Sequence, residues 1–267
     1  MMRSNHVLQA WRANQQTIGA WMAIDSSYTA EAMAHAGFDW LCLDMQHGVL
    51  DYVDVKQMLT AISTSNAIPF VRVPWNEPYE IMKVLDAGAY GVIIPLVNNR
   101  EEAERAVAAC RYPPDGMRSY GPNRVTFYAG KGYARAANNE IACIVMIETA
   151  EALENLDDIM STPGVDAVYI GPSDLAYALG LHPGGDNNDP KHVAAVTHIL
   201  ETAKKHGIAA GIQTGSLEYT KRYLDQGFHM VTLGSDRAFM ERLARQELKA
   251  AREGTGAEKI ESDGNFY

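Results

Sequence analysis

The chain has 267 residues, enough for one large domain or two small ones, with 47% apolar and 21% charged residues, an ordinary globular composition. A formal net charge of −10 argues against nucleic acid and anionic membrane surfaces as partners, because both select clustered Lys and Arg. No apolar run approaches the ~20 residues of a membrane span, and the opening MMRSNHVLQAWRANQQ lacks the apolar core of a secretory signal.

In chain order, short apolar runs recur: TIGAWMAI (17–24), WLCLDM (40–45), IPFVRV (68–73), GVIIPLV (91–97), IACIVMIE (141–148), AVYIG (167–171), IAAGIQ (208–213) and MVTLG (230–234). They are continuous rather than alternating, the pattern of parallel strands covered on both faces. The segments between them carry helical spacing. Ile81, Val84 and Leu85 share one stripe, as do Leu153, Leu156 and Ile159. Several helices end in a glycine that leads into the next strand, as in HAGFDW, DAGAYG, KHGIAA and DQGFHM. Strand and helix alternating eight times predict a single-domain (β/α)8 barrel spanning 1–267. A doubly wound open sheet is disfavoured, since no GxGxxG follows the first strand. The stretch 111–140, RYPPDGMRSYGPNRVTFYAGKGYARAANNE, reads as a loop-rich insertion near the barrel mouth, and 254–267 as a flexible tail. Cys42, Cys110 and Cys143 are far apart and form no metal or disulfide spacing, which suits a reducing cytoplasm.

In such a barrel the chemistry lies at the carboxyl ends of the strands. Those ends offer Trp21, Asp25, Asp44, His47, Arg72, Glu148, Asp174 and Gln213. Glu148 and Asp174 lie one strand–helix unit apart and should stand side by side. Two adjacent carboxylates repel unless one is protonated or a cation lies between them, so a hard divalent ion is the natural occupant. Either acid alone reads better as a helix cap, and only the pair argues for metal. His47 alone is equally ambiguous. Arg72 inside FVRVPW is harder to explain structurally, since a buried guanidinium needs an anionic partner.

GAWMA, LDMQHG, FVRVPWN, LDAGAYGVIIPLV, RYPPDGMRS, VMIETAEAL and YIGPSDL together resemble the HpcH/HpaI family of class II, metal-dependent pyruvate aldolases over nearly the whole chain. The resemblance implies reversible cleavage of 4-hydroxy-2-oxo acids to pyruvate or hydroxypyruvate and an aldehyde. It implies Mg2+, Mn2+ or Co2+ held by Glu148 and Asp174, and His47 as base. Arg72 would then steady the enolate, and Asp86 would raise the basicity of His47, with Asp44 a second candidate to orient it. Substrate contacts would come from Gly171, Pro172, Ser173, Asp174, Trp21 and Arg72. Met146 stands where relatives often carry Gln. Relatives assemble as hexamers built from trimers with exchanged C-terminal helices, so a homohexamer is expected. The apolar Phe239, Met240, Leu243 and Leu248 of the last helix fit such an assembly.

Arg124, after the Gly-Pro turn in GPNR, is the residue expected to read a carboxylate or hydroxyls on the aldehyde. Two other functions compete: an acyl-CoA carbon–carbon lyase on the same scaffold, and a non-catalytic keto-acid or metal-binding protein. The first needs a basic groove that the acidic composition does not suggest, and the second has no use for a tuned His47.

Overall fold

Strand β1 (Thr17–Met22) pairs in parallel with β2 (Trp40–Asp44) and with β8 (Met230–Ser235) in the computed structural model, which describes residues 3–253. Between them run β3 (Ile68–Arg72), β4 (Gly91–Ile94), β5 (Ala142–Ile147), β6 (Ala167–Ile170) and β7 (Ala209–Ile212), closing the barrel in sequence order. Every strand coincides with one of the apolar runs. The expected tail at 254–267 lies outside the described residues. Among the described residues, no helix is long and apolar enough to cross a membrane.

Alternation along the strands sorts core from site. On β2, Trp40, Cys42 and Asp44 share the face that looks into the barrel, and on β3 so do Phe70 and Arg72. The lower members pack as apolar layers: the Trp40 and Phe70 rings lie 5.9 Å apart, and Trp11 from the helix His6–Arg12 meets Phe70 at 5.8 Å. Gly19 is small because Trp40 lies across it; a Cβ there would sit 2.0 Å from the indole. The upper members of the same faces, Asp44 and Arg72, are charged and neutralise each other. The glycines ending the helices Pro190–His206 and Leu217–Gln226, Gly207 and Gly227, take φ of 68° and 95°, the left-handed caps that the sequence implies.

Two expectations need correction. The stripe Leu153, Leu156 and Ile159 belongs not to one helix but to two, Ala150–Glu154 and Leu156–Met160, broken at Asn155, whose amide donates to the Asn98 carbonyl. The 111–140 segment does not cover the mouth of its own barrel. The helix Arg100–Cys110 has already carried the chain back to the amino-terminal side of the strands, so whatever follows it before β5 lies at that end. Its contacts agree. Arg111 donates to the Ile141 and Gly164 carbonyls and to Asp166, all just ahead of β5 and β6, and the Arg3 N–H donates to Ala129.

Candidate active site

At the carboxyl end of the barrel, register brings Asp44 opposite Arg72. Arg72 Nε donates to Asp44 Oδ1 at 2.9 Å and Nη2 to Oδ2 at 2.7 Å, a bidentate pair with both side chains at most 10% exposed. The guanidinium also lies 4.5 Å over the Trp21 ring. Burial works against the charge of Arg72, but the hydrogen bonds and charge of Asp44 hold its pKa above the ordinary value. Arg72 Nη1 makes no hydrogen bond among the described residues, so its N–H groups remain free.

Asp44 Oδ1 also accepts the N–H groups of Gln46 and His47, at 3.1 and 3.2 Å. Asp44 therefore orients the backbone that carries His47, an exposed residue, and not its imidazole, which makes no hydrogen bond among the described residues. Trp21 is only 3% exposed, and its Nε1–H is shared between the hydroxyls of Tyr169 and Thr232. It is the platform under Arg72 rather than an open substrate contact.

Glu148 lies just past β5 and is 2% exposed. Burial pushes its carboxyl up to about 7; the Leu96 N–H bond opposes the rise, the neighbouring Asp174 charge adds to it, and Arg72 opposes it. Leu96 N–H donates to Glu148 Oε1 at 2.9 Å. On the other side Gly171 admits Glu148 Oε2, which a Cβ on Gly171 would meet at 2.4 Å, and Met146 Cε lies 3.1 Å from the same point. Gly171 and Pro172 open the helix Pro172–Ala178, which carries the partly exposed Ser173 and the exposed Asp174 in its first turn. The Pro172 carbonyl accepts from Nε2 of His192, a fully buried histidine whose pKa burial lowers.

The donor set suits a hard divalent cation: a buried carboxylate beside a second, exposed one, both oxygen donors. Among the described residues no group of three or more His, Cys, Asp and Glu could hold a metal, so a cation here would need water and substrate for its further oxygen donors.

Two residues expected at the site are elsewhere. Asp86 sits in the last turn of the helix Pro78–Ala87, on the outer layer toward the amino-terminal side, while His47 follows β2 at the opposite end. Its carboxylate pairs with Arg118 Nη2 at 2.6 Å and does not reach His47 within this chain. Arg124 points into the ends of two helices. It donates from Nη1 to the Ala87 carbonyl at 2.7 Å, from Nη2 to the Leu59 carbonyl at 3.2 Å and from Nε to Thr60 Oγ1 at 2.8 Å. It caps the Ala87 carbonyl at one helix end and adds to the Leu59 carbonyl, which already accepts the Ser63 N–H, at the other, and so cannot read an aldehyde at its own mouth.

Sequence reasoning missed Leu96, whose φ of 55° is rare for a residue with a side chain and costs about 1–3 kcal/mol. It also missed Asp236, which accepts the Ala23 and Ile24 N–H groups at 3.0 and 3.1 Å and so fixes the loop after β1. Neither left a signal, because the first is an apolar residue in an apolar run and the second reads as an ordinary first-turn acid.

The architecture has close relatives. A hydroxypyruvate/pyruvate aldolase of Rhizorhabdus wittichii is 41% identical over 93% of this chain and 99% of that protein. A 4-hydroxy-2-oxo-heptane-1,7-dioate aldolase of Escherichia coli is 37% identical over 96% and 97%. The crystal structure of a Burkholderia cenocepacia protein of the aldolase/citrate lyase family superposes with a TM-score of 0.88 at 35% identity, covering 94% of this chain and all of that one. The family model for HpcH/HpaI aldolase/citrate lyase matches residues 17–241, nearly the whole barrel, and the chain belongs to that family.

Proposed function

We propose that the protein is a divalent-metal-dependent aldolase that reversibly cleaves 4-hydroxy-2-oxo acids to pyruvate, or a close analogue such as hydroxypyruvate, and an aldehyde. The observation that carries this reading is Arg72, clamped by Asp44 with Nη1 free, at the same mouth as Glu148 and Asp174. Glu148 and Asp174 would hold Mg2+, Mn2+ or Co2+. When bound, the ion supplies a Lewis acid for the carboxylate and keto oxygens of the 2-oxo acid.

The chain's own residues do the rest. The N–H groups of Ser173 and Asp174, free in the first turn after Gly171 and Pro172, suit the substrate carboxylate. Arg72 Nη1 donates to the oxygen on which negative charge develops, a contribution of about 3–4 kcal/mol if it acts as an oxyanion donor. Trp21 and Asp44 keep that guanidinium from turning away. His47, with both ring nitrogens free, takes the proton from the substrate and returns it. The chain offers no lysine among its strand-end residues for a Schiff base.

Pyruvate release from a 4-hydroxy-2-oxo acid tests the reading directly. EDTA should abolish it, and Mg2+, Mn2+ or Co2+ should restore it; full activity in exhaustively chelated protein refutes the metal role. His47→Ala should slow exchange of the pyruvate C3 protons by about 10²-fold or more. An unchanged exchange rate would place the base elsewhere.

We also propose a cytoplasmic homo-oligomer, a hexamer arranged as a dimer of trimers. The helix Asp236–Arg252 supports it: only Asp236 is buried, while Met240, Leu243 and Leu248 are 58%, 56% and 51% exposed. The three buried free cysteines fit a reducing compartment. Light scattering that gives an active 29.3 kDa monomer would refute the assembly.

A further inference from the structure

The left-handed Leu96 is bonded by a side chain at each end of its backbone, Glu148 at the N–H and Asn98 at the carbonyl. Asn98 Nδ2 donates to the Leu96 carbonyl at 3.0 Å. Asn98 is itself fixed from three directions. Its N–H donates to Glu102 Oε2 at 2.7 Å, its carbonyl accepts from Asn155 Nδ2 at 2.9 Å, and its Oδ1 accepts the Thr149 hydroxyl. Thr149 is the residue after Glu148. One amide therefore ties the loop after β4 to the loop after β5, on both sides of the bond from Leu96 N–H to Glu148 Oε1.

We propose that Leu96 and Asn98 are positioning residues for Glu148: Asn98 locks Leu96 in a conformation whose N–H occupies Oε1, leaving Oε2, on the Gly171 side, to take the cation. Glu148 is buried and has no basic residue donating to it, so without this bond its carboxylate could rotate about its terminal torsion. With it, one lone pair of Oε1 is taken, while Oε2, beside Gly171, accepts no hydrogen bond among the described residues and is the freer oxygen. The conformation is unfavourable for leucine and worse for a β-branched residue, so it persists only because its surroundings enforce it. Groups that orient a ligand in this way typically change metal affinity by about 10- to 100-fold when removed.

The inference rests on the proposed metal site, and the experiment separates the two. Binding of Mn2+ alone to the full-length protein is followed by the electron paramagnetic resonance of the free ion. Asn98→Asp keeps the acceptor for Thr149 and removes the donor to Leu96. Leu96→Ile keeps size and apolarity but disfavours the left-handed backbone. Each should weaken Mn2+ by about tenfold or more. Adding Leu96→Gly to Asn98→Asp should recover most of the loss, because glycine takes a positive φ without the tether. A merely structural role for Asn98 predicts no recovery, since glycine loosens the loop further. Affinities within twofold of wild type for both single variants overturn the proposal, as does weakening that glycine leaves uncorrected. Should Asn98→Asp not fold, Leu96→Ile alone decides by the same criterion. Wild-type protein that binds no Mn2+ overturns this inference together with the metal site, whereas wild-type binding with unaffected variants overturns only this inference.

Discussion

Replacing Glu148 by Gln in the metal-free protein should stabilise it at high pH and not at low pH. The folded state holds the Glu148 proton up to about pH 7, against an ordinary value of 4.5. The protonated carboxyl contributes stability below pH 4.5, and that contribution is lost as pH rises through 7. At 1.36 kcal/mol per pH unit, the wild type loses about 3 kcal/mol relative to Glu148→Gln between pH 4.5 and 8. For a chain of this size that corresponds to about 6–12 °C in melting temperature. The amide matches the shape of the protonated acid and can keep the Leu96 N–H bond, so the comparison isolates the buried charge. Melting curves for both proteins in EDTA from pH 4.5 to 8.5 provide the measurement. A difference in melting temperature that stays constant across the range would show that Glu148 ionises like an exposed acid, and would remove the electrostatic case for a cation beside it.

Asp44→Asn should be among the more damaging single changes, because it strips a buried guanidinium of its counter-charge. A stability loss of about 3–5 kcal/mol is expected, with kcat/KM reduced more than for substitutions on the rim; a loss under about 1 kcal/mol in urea unfolding would contradict the buried-pair reading. Arg124→Ala should cost about 1–3 kcal/mol, from the helix-end carbonyl of Ala87 left unpaired, while changing kcat/KM for carboxylated and uncharged aldehydes by the same factor. A selective loss for the carboxylated aldehyde would restore Arg124 as a reader of substrate.

The barrel is legible in the sequence because its signals are local. Eight doubly buried parallel strands produce eight continuous apolar runs, and helices that turn into them need left-handed caps such as Gly207 and Gly227. Strand ends are local too, so the rim positions of Arg72, Glu148 and Asp174 follow once the runs are counted. Contacts between those ends are not local. Asp44 precedes His47 by three residues and reads as its partner, yet register sets it against Arg72, 28 residues away in the chain. Asp86 and Arg124 have charges that suit a site, but the return path of each helix puts them at the other end of the barrel, where helix ends and Arg118 claim them. Leu96 marks the limit most sharply: its side chain says core, while its function lies in a backbone N–H whose direction exists only after Asn98, Thr149 and Glu148 have been brought together. Side-chain chemistry and periodicity are written in the chain, but the direction of a backbone donor and the partner of a buried charge are set by packing between segments far apart in sequence.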